Sequence, residues 1–221
     1  MHLNADFSKR VVVHPEDYKW VDSPSAGVER MMLDRIGGEV ARATSLVRFA
    51  ANATFPEHTH GAGEEFLVLE GAFGDEHELY PAGTYVRNPA GTSHSPRVGD
   101  RGCLIFVKLQ QFDDSDQAQF AIDTREAAFS ESPTPGIEYL QLHEHQGEHV
   151  ALIRWAPDTT YEWHEHDCGE EVFVLEGAYH DEFGAYPAGS WVRSPHGSPH
   201  EPFTKEEGAL IYVKTGHLPA Q

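Results

Sequence analysis

The chain has 221 residues, 39 % of them hydrophobic and 24 % charged, a globular balance that excludes a fibrous or largely disordered protein. With 36 acidic against 16 basic residues the net charge is −20, which would repel nucleic-acid phosphate, and no basic run offsets it, so no direct nucleic-acid binding is expected. No apolar run approaches the ~20 residues of a membrane span, and no charged-then-apolar leader opens the sequence, so a cytoplasmic protein without membrane contact is expected.

In chain order, a lead-in with a weak helical candidate at His14–Trp20 precedes apolar, β-branched and aromatic runs at Glu65–Leu69, Thr84–Arg87 and Leu104–Val107. A second weak helical candidate, Thr124–Phe129, precedes the runs Val150–Trp155, Glu171–Leu175 and Leu210–Val213. Gly, Pro, Asn and Asp separate these runs at intervals of about 8–12 residues, the spacing of an antiparallel sandwich or barrel. The order is itself a repeat. Leu46–Lys108 aligns with Leu152–Lys214 without a gap, and about half of the positions are identical. The lead-ins Val11–Glu29 and Phe120–Glu138 match more weakly. Two tandem all-β domains are expected, at residues 1–111 and 112–221, with the polar stretch Gln110–Gln117 as the boundary.

Histidine is the unusual entry, at 15 residues. His58 and His60 stand at i and i+2, on one face of a strand. Glu64 follows a Gly-rich turn, and His94 comes thirty positions later. The second repeat carries His164, His166, Glu170 and His200 in the same register. Three imidazoles and one carboxylate per repeat suit a divalent transition ion. Zn, Fe(II), Mn, Ni and Cu are all candidates. On zinc such a set closes as a tetrahedron; on Fe(II) or Mn it leaves positions for water or substrate. Cys103 and Cys168 are the only cysteines, too few for a disulfide framework or a Cys-rich zinc site.

His58, His60, Glu64 and Gly71 fit the pattern H-x-H-x3-E-x6-G, as do His164, His166, Glu170 and Gly177. Gly83, Pro89, Gly91 and His94 fit G-x5-P-x-G-x2-H, as do Gly189, Pro195, Gly197 and His200. These are the two cupin motifs, and the chain resembles a bicupin of two double-stranded β-helix (jelly-roll) barrels. The runs VERMMLDRIGGEVARATSLVRF, EEFLVLEGAF and YPAGTYVRNPAGTSH most resemble the ChrR-like cupins. That resemblance implies a regulatory or stress-sensing metalloprotein like the cupin part of ChrR-type anti-sigma factors, with zinc as the first-expected ion and an ECF sigma factor or another protein as partner. It implies as the alternative an Fe(II)-dependent dioxygenase cleaving C–C bonds of carbonyl or diketone-like molecules. A non-catalytic small-molecule binding module is the third reading. The helical zinc domain of the anti-sigma proteins, with its His-x3-Cys-x2-Cys signature, has no counterpart in this sequence. No catalytic acid or base is assigned, a small-molecule ligand in the barrels is expected, and a homodimer is left open.

Several other residues have simpler readings. His143, His145, Glu148 and His149 read as a polar hairpin tip, and His196 as solvent-facing. Cys168 reads as a partly buried inert thiol and Cys103 as packing. Arg48, Arg154, Arg87 and Arg193 read as outer-face residues paired with Glu70, Glu176, Asp75 or Asp181.

Overall fold

Each apolar run of the sequence lies in a longer antiparallel strand of the computed structural model, which describes residues 1–218. The strands form two compact units. In unit 1 the main sheet runs in the order Val28–Gly37, Ala41–Phe49, Arg97–Leu109, Glu64–Gly74, Thr84–Asn88 and Phe120–Asp123. A short second sheet pairs His58–Thr59 with Ser93–His94. Unit 2 repeats the pattern with Ile137–His145, Glu148–Trp155, Ala209–Thr215, Glu170–Asp181, Trp191–Ser194 and Val11–Val13. Its short sheet pairs His164–Glu165 with Pro199–His200.

Two expectations change. The units are not the consecutive segments 1–111 and 112–221. Unit 1 comprises Met1–Ala5 and Lys19–Ala127, whereas unit 2 comprises Asp6–Tyr18 and the chain from Ala128 onward. The edge strands are the cause. Val11–Val13, from the lead-in of the first repeat, pairs with Trp191–Arg193 of unit 2. Phe120–Asp123, from the lead-in of the second, pairs with Thr84–Arg87 of unit 1. Each lead-in therefore completes the sheet of the other repeat. The stretch expected as a boundary belongs to unit 1: Phe112 packs where a Cβ on Gly63 would stand, and Asp116 pairs with Arg87.

The helical expectations also fail. His14–Trp20 contains a single 3-10 turn at Pro15–Asp17. Thr124–Phe129 forms a turn, tied back by Thr124, whose N–H (3.0 Å) and hydroxyl (2.6 Å) both donate to the Gly83 carbonyl. Among the described residues no helix is long and apolar enough to cross a membrane.

The core of unit 1 lies inside its barrel, where Phe66, Val68, Phe73, Val86, Ile105 and Val107 are buried together. Val172, Val174, Tyr179, Val192, Ile211 and Val213 occupy the same places in unit 2. A bulge decides which residues face this core. Along Glu64–Gly74, Val68 pairs with Ile105, yet the next paired residue is Glu70, with Leu104. Skipping Leu69 reverses the in–out alternation, so Glu64, Phe66 and Val68 face inward before the bulge and Phe73 faces inward after it. The second repeat skips Leu175 in the same way. Beyond the bulge Gly71 lies at φ +70 with the Gly102 carbonyl oxygen 2.1 Å from where a Cβ would stand.

The arginines divide. Arg48 and Arg154 lie on the surface as expected, but their partners are Glu29 (3.4 Å) and Glu138 (3.0 Å), and they stack on Trp20 and Phe129. Arg87 and Arg193 are fully buried instead. Arg87 binds Glu65 at 2.8 Å and Asp116, and its guanidinium lies 4.0 Å from the Phe112 ring centroid. Arg193 donates to the Asp6 carbonyl at 3.1 Å and lies over Phe7. A buried guanidinium needs such partners because its charge cannot be left unsolvated.

Candidate metal centres

The pairing of the short sheets gathers the histidines. His58 stands directly opposite His94, and His164 opposite His200. His60 and His166 share the face of His58 and His164 through the two-residue strand period. The glutamates enter from the first residue of the long strands Glu64–Gly74 and Glu170–Asp181.

In unit 1 the donor atoms of His58, His60, Glu64 and His94 all lie within 4.8 Å of one another. Glu64 Oε1 is 3.4 Å from both His60 Nε2 and His94 Nε2. In unit 2 the three imidazole Nε2 atoms form a triangle with edges of 3.0, 3.1 and 3.1 Å. The grouping within 4.8 Å holds these three imidazoles. Glu170 stands alongside, 3.3 Å from His166 Nε2 and 3.7 Å from His200 Nε2.

The far side of five of the six rings explains why their Nε2 atoms converge. His58 Nδ1 lies 3.1 Å from the Pro56 carbonyl and His164 Nδ1 2.8 Å from the Glu162 carbonyl. A carbonyl only accepts, so each Nδ1 donates and each Nε2 keeps its lone pair. His60 Nδ1 is 2.8 Å from Thr92 Oγ1, whose own proton goes to the Pro89 carbonyl at 2.7 Å, so His60 is again the donor. His94 Nδ1 and His200 Nδ1 face Asp75 (3.5 Å) and Asp181 (3.8 Å). A carboxylate behind an imidazole is the usual support of a metal-ligating histidine. Asn88 Nδ2 donates to Glu64 Oε1 at 3.3 Å.

The donor set fits a divalent cation. The buried His60 Nε2 and His94 Nε2 have no hydrogen-bond partner, an arrangement that otherwise costs each its desolvation. Burial, reinforced by the neighbouring imidazoles, holds His60 down at about 3 and, against the pull of Asp75, His94 at about 4. Burial pushes the Glu64 carboxyl up to about 7. Burial also lowers His164. For His200 burial acts downward, but Asp181 and Glu170 together lift it above its ordinary value. In unit 1, neutral imidazoles around a carboxylate that lacks a counter-charge form a cradle for a cation.

All eight residues expected from the motifs therefore lie in two clusters, one per unit. The other histidines stay apart. His143 and His145 stack on a hairpin closed by Gln146 and Gly147, the polar tip expected. His196 is exposed, yet its Nδ1 accepts the Cys168 backbone N–H at 2.7 Å, so it braces the turn between His166 and Glu170. Cys103 is buried and its thiol is pushed up to about 12 by burial, a packing residue. Sequence reasoning missed Thr92, Asn88 and the inward role of Asp75 and Asp181. The aspartates left a signal by recurring at matched positions, as did Thr92 through its hydroxyl counterpart Ser198.

A family model described as the ChrR cupin-like domain matches residues 8–113 and again 117–219. Comparison with curated proteins finds no match. Among solved structures, a Nostoc punctiforme protein provisionally assigned as a dioxygenase is similar, with a TM-score of 0.79 and 15 % identity over 97 % of this chain and 85 % of its own. The Escherichia coli protein Ylba matches with a TM-score of 0.73 and 14 % identity over 98 % and 94 %. Oxalate decarboxylase from Lactobacillus farciminis, solved as a formate complex, matches with a TM-score of 0.65 and 13 % identity over 95 % and 87 %. At such identities the likeness is one of fold. Two tandem matches, the doubled motifs and the doubled barrel agree: the chain belongs to the ChrR cupin-like family and is a bicupin.

Proposed function

We propose that the protein is a metal-dependent enzyme of the dioxygenase class, acting on a small carbonyl or enol compound that offers two oxygen donors. The observation that carries this reading is the unequal spacing of the donors. A tetrahedral set holds four ligands at equal separations, ~3.4 Å for ordinary metal–nitrogen bonds, whereas neighbours at right angles stand ~3.0 Å apart. The 3.0–3.1 Å triangle of His164, His166 and His200 matches the right-angled set. The glutamates stand farther out than the imidazoles do from one another, Glu64 3.4 Å from His60 and His94 and Glu170 3.3 and 3.7 Å from His166 and His200. A right-angled imidazole set would leave room for a ligand beside the ion and would suit Fe(II) or Mn(II).

His58, His60, Glu64 and His94 would hold one ion, and His164, His166, Glu170 and His200 the other. When bound, the ion supplies a Lewis acid that polarises substrate oxygens and, as Fe(II), a centre at which O2 reacts. The protein's part is preorganisation. Pro56, Thr92 and Asp75 fix the imidazole tautomers of unit 1. Asn88 orients the Glu64 carboxylate. Phe55, edge-on to His58, and Phe73, beside His94, give the cluster an apolar wall.

Elemental analysis of untagged protein purified anaerobically without added metal tests this. Iron or manganese, with O2 uptake on a β-dicarbonyl or hydroxy-ketone, is expected. Two zinc ions per chain and no O2 uptake would overturn it. That result would favour the second reading, a sensory metalloprotein that docks a basic partner such as a sigma factor, which draws on the family description and the net charge of −20.

A further inference from the structure

The gapless repeat makes every difference beside the two clusters visible. Phe55, whose ring meets His58 edge-on at 5.3 Å, is replaced by Tyr161 against His164 at 4.9 Å. Phe73, 5.7 Å from the His94 ring, is replaced by Tyr179, equally buried and turned inward by the same bulge. Trp155 and Tyr186 pack on the Tyr179 ring at 5.9 and 6.1 Å. Among the described residues the Tyr179 hydroxyl makes no hydrogen bond. Tyr186, which packs on the Tyr179 ring, accepts from Arg10 at 2.8 Å and donates to Asp181 at 2.7 Å.

Arg10 is the third difference. It precedes the exchanged edge strand, so unit 2 receives it from the lead-in of the first repeat. Its guanidinium donates to Ser194 Oγ at 2.7 Å, to Tyr186 Oη at 2.8 Å and to Asp181 Oδ2. Asp181 faces His200, and Ser194 pairs in register with Glu170. The counterpart in unit 1, Gln119, is exposed. Around its cluster unit 2 thus has two phenols, Tyr161 and Tyr179, and a guanidinium paired with Asp181, where unit 1 has two phenyl rings.

We infer that the two clusters have diverged in ligand. That of unit 2 takes a small carboxylate, with the Tyr179 hydroxyl donating to a carboxylate oxygen and Arg10 as the positioning residue that supplies local positive charge. That of unit 1 takes an uncharged compound. This inference rests on the metal reading above, and its test separates the two.

Protein loaded with Co(II) is titrated with acetate and followed by visible absorption. H164A/H166A leaves only the unit 1 centre, and H58A/H60A leaves only that of unit 2. Acetate should bind the unit 2 centre roughly tenfold more tightly, the scale of one hydrogen bond to a charged group. In that background Y179F should remove most of the advantage with Co(II) affinity unchanged. R10Q should weaken acetate binding and shift the Co(II) spectrum, and R10K should restore part of both. In the unit 1 background F73Y should strengthen acetate binding. Equal acetate affinity at the two centres, or no effect of Y179F and F73Y, overturns the inference while leaving the metal reading intact. Failure of the wild type to take up Co(II) overturns both.

Discussion

The Asp116 carboxylate, in the stretch between the two repeats, pairs with the fully buried guanidinium of Arg87, which Glu65 holds from the other side at 2.8 Å. Phe112 lies over the same guanidinium. Removing one partner of a buried ion pair leaves charge without compensation and costs about 3 kcal/mol. Asp116→Ala should therefore destabilise unit 1 by that amount in urea unfolding, and Asp114→Ala, an exposed neighbour, should leave it unchanged. Equal midpoints for both variants would mean that the linker is not part of unit 1.

Thr92 fixes the tautomer of His60 without touching the donor cluster. Thr92→Val keeps the shape and removes the acceptor. Metal affinity at the unit 1 centre should fall about tenfold, the usual effect of losing a partner behind a ligating histidine. Thr92→Ser should retain it. Competition titration against a chelator in the H164A/H166A background measures both.

The Glu64 carboxyl, pushed up to about 7 by burial, predicts how metal binding depends on pH. Its folded value lies above its unfolded value of 4.5, so in metal-free protein this group favours folding most below pH 4.5. That contribution is lost as pH rises through 7. A cation takes the place of the proton. Binding at unit 1 should release roughly nine-tenths of a proton from Glu64 at pH 6 and about one-tenth at pH 8. Calorimetric titration in buffers of different ionisation enthalpy reads this directly, and pH-independent release would contradict it.

Two glycines of positive φ should respond differently to alanine. At Gly71 (φ +70) the added Cβ would stand 2.1 Å from the Gly102 carbonyl oxygen, a backbone atom that cannot swing away. At Gly91 (φ +88) nothing lies within 4 Å. Gly91→Ala should cost only the left-handed backbone penalty, about 1–2 kcal/mol. Gly71→Ala should cost at least about 3 kcal/mol more, enough to unfold unit 1 near room temperature. Thermal unfolding monitored by near-ultraviolet circular dichroism distinguishes the two.

The ligand residues are legible because two motifs, each repeated, encode strand parity and a fixed return distance. His58 and His60 need only a period of two, and His94 only the pairing of its short strand. Asp75 and Asp181 read as surface partners of arginines because plain alternation from Glu64 places odd-numbered residues outside. The bulge at Leu69 reverses that parity, and no residue type at Leu69 announces it. The edge strands are illegible for another reason. Val11–Val13 and Phe120–Asp123 are both short apolar runs with equivalent neighbours, so composition does not say which sheet each completes. Arg87 reads as a surface residue because its covering residues, Phe112 and Asp116, lie in a stretch whose composition resembles a linker.

The exchanged edge strands also bear on how such a chain arises and can be taken apart. A gene cut at codon 111 would give two fragments, each with an unpaired sheet margin and each carrying the peptide that the other lacks. Each repeat thus carries an edge strand that the sheet of the other uses. Complementation of the two fragments in trans, rather than independent folding of either, is the behaviour such an inheritance dictates.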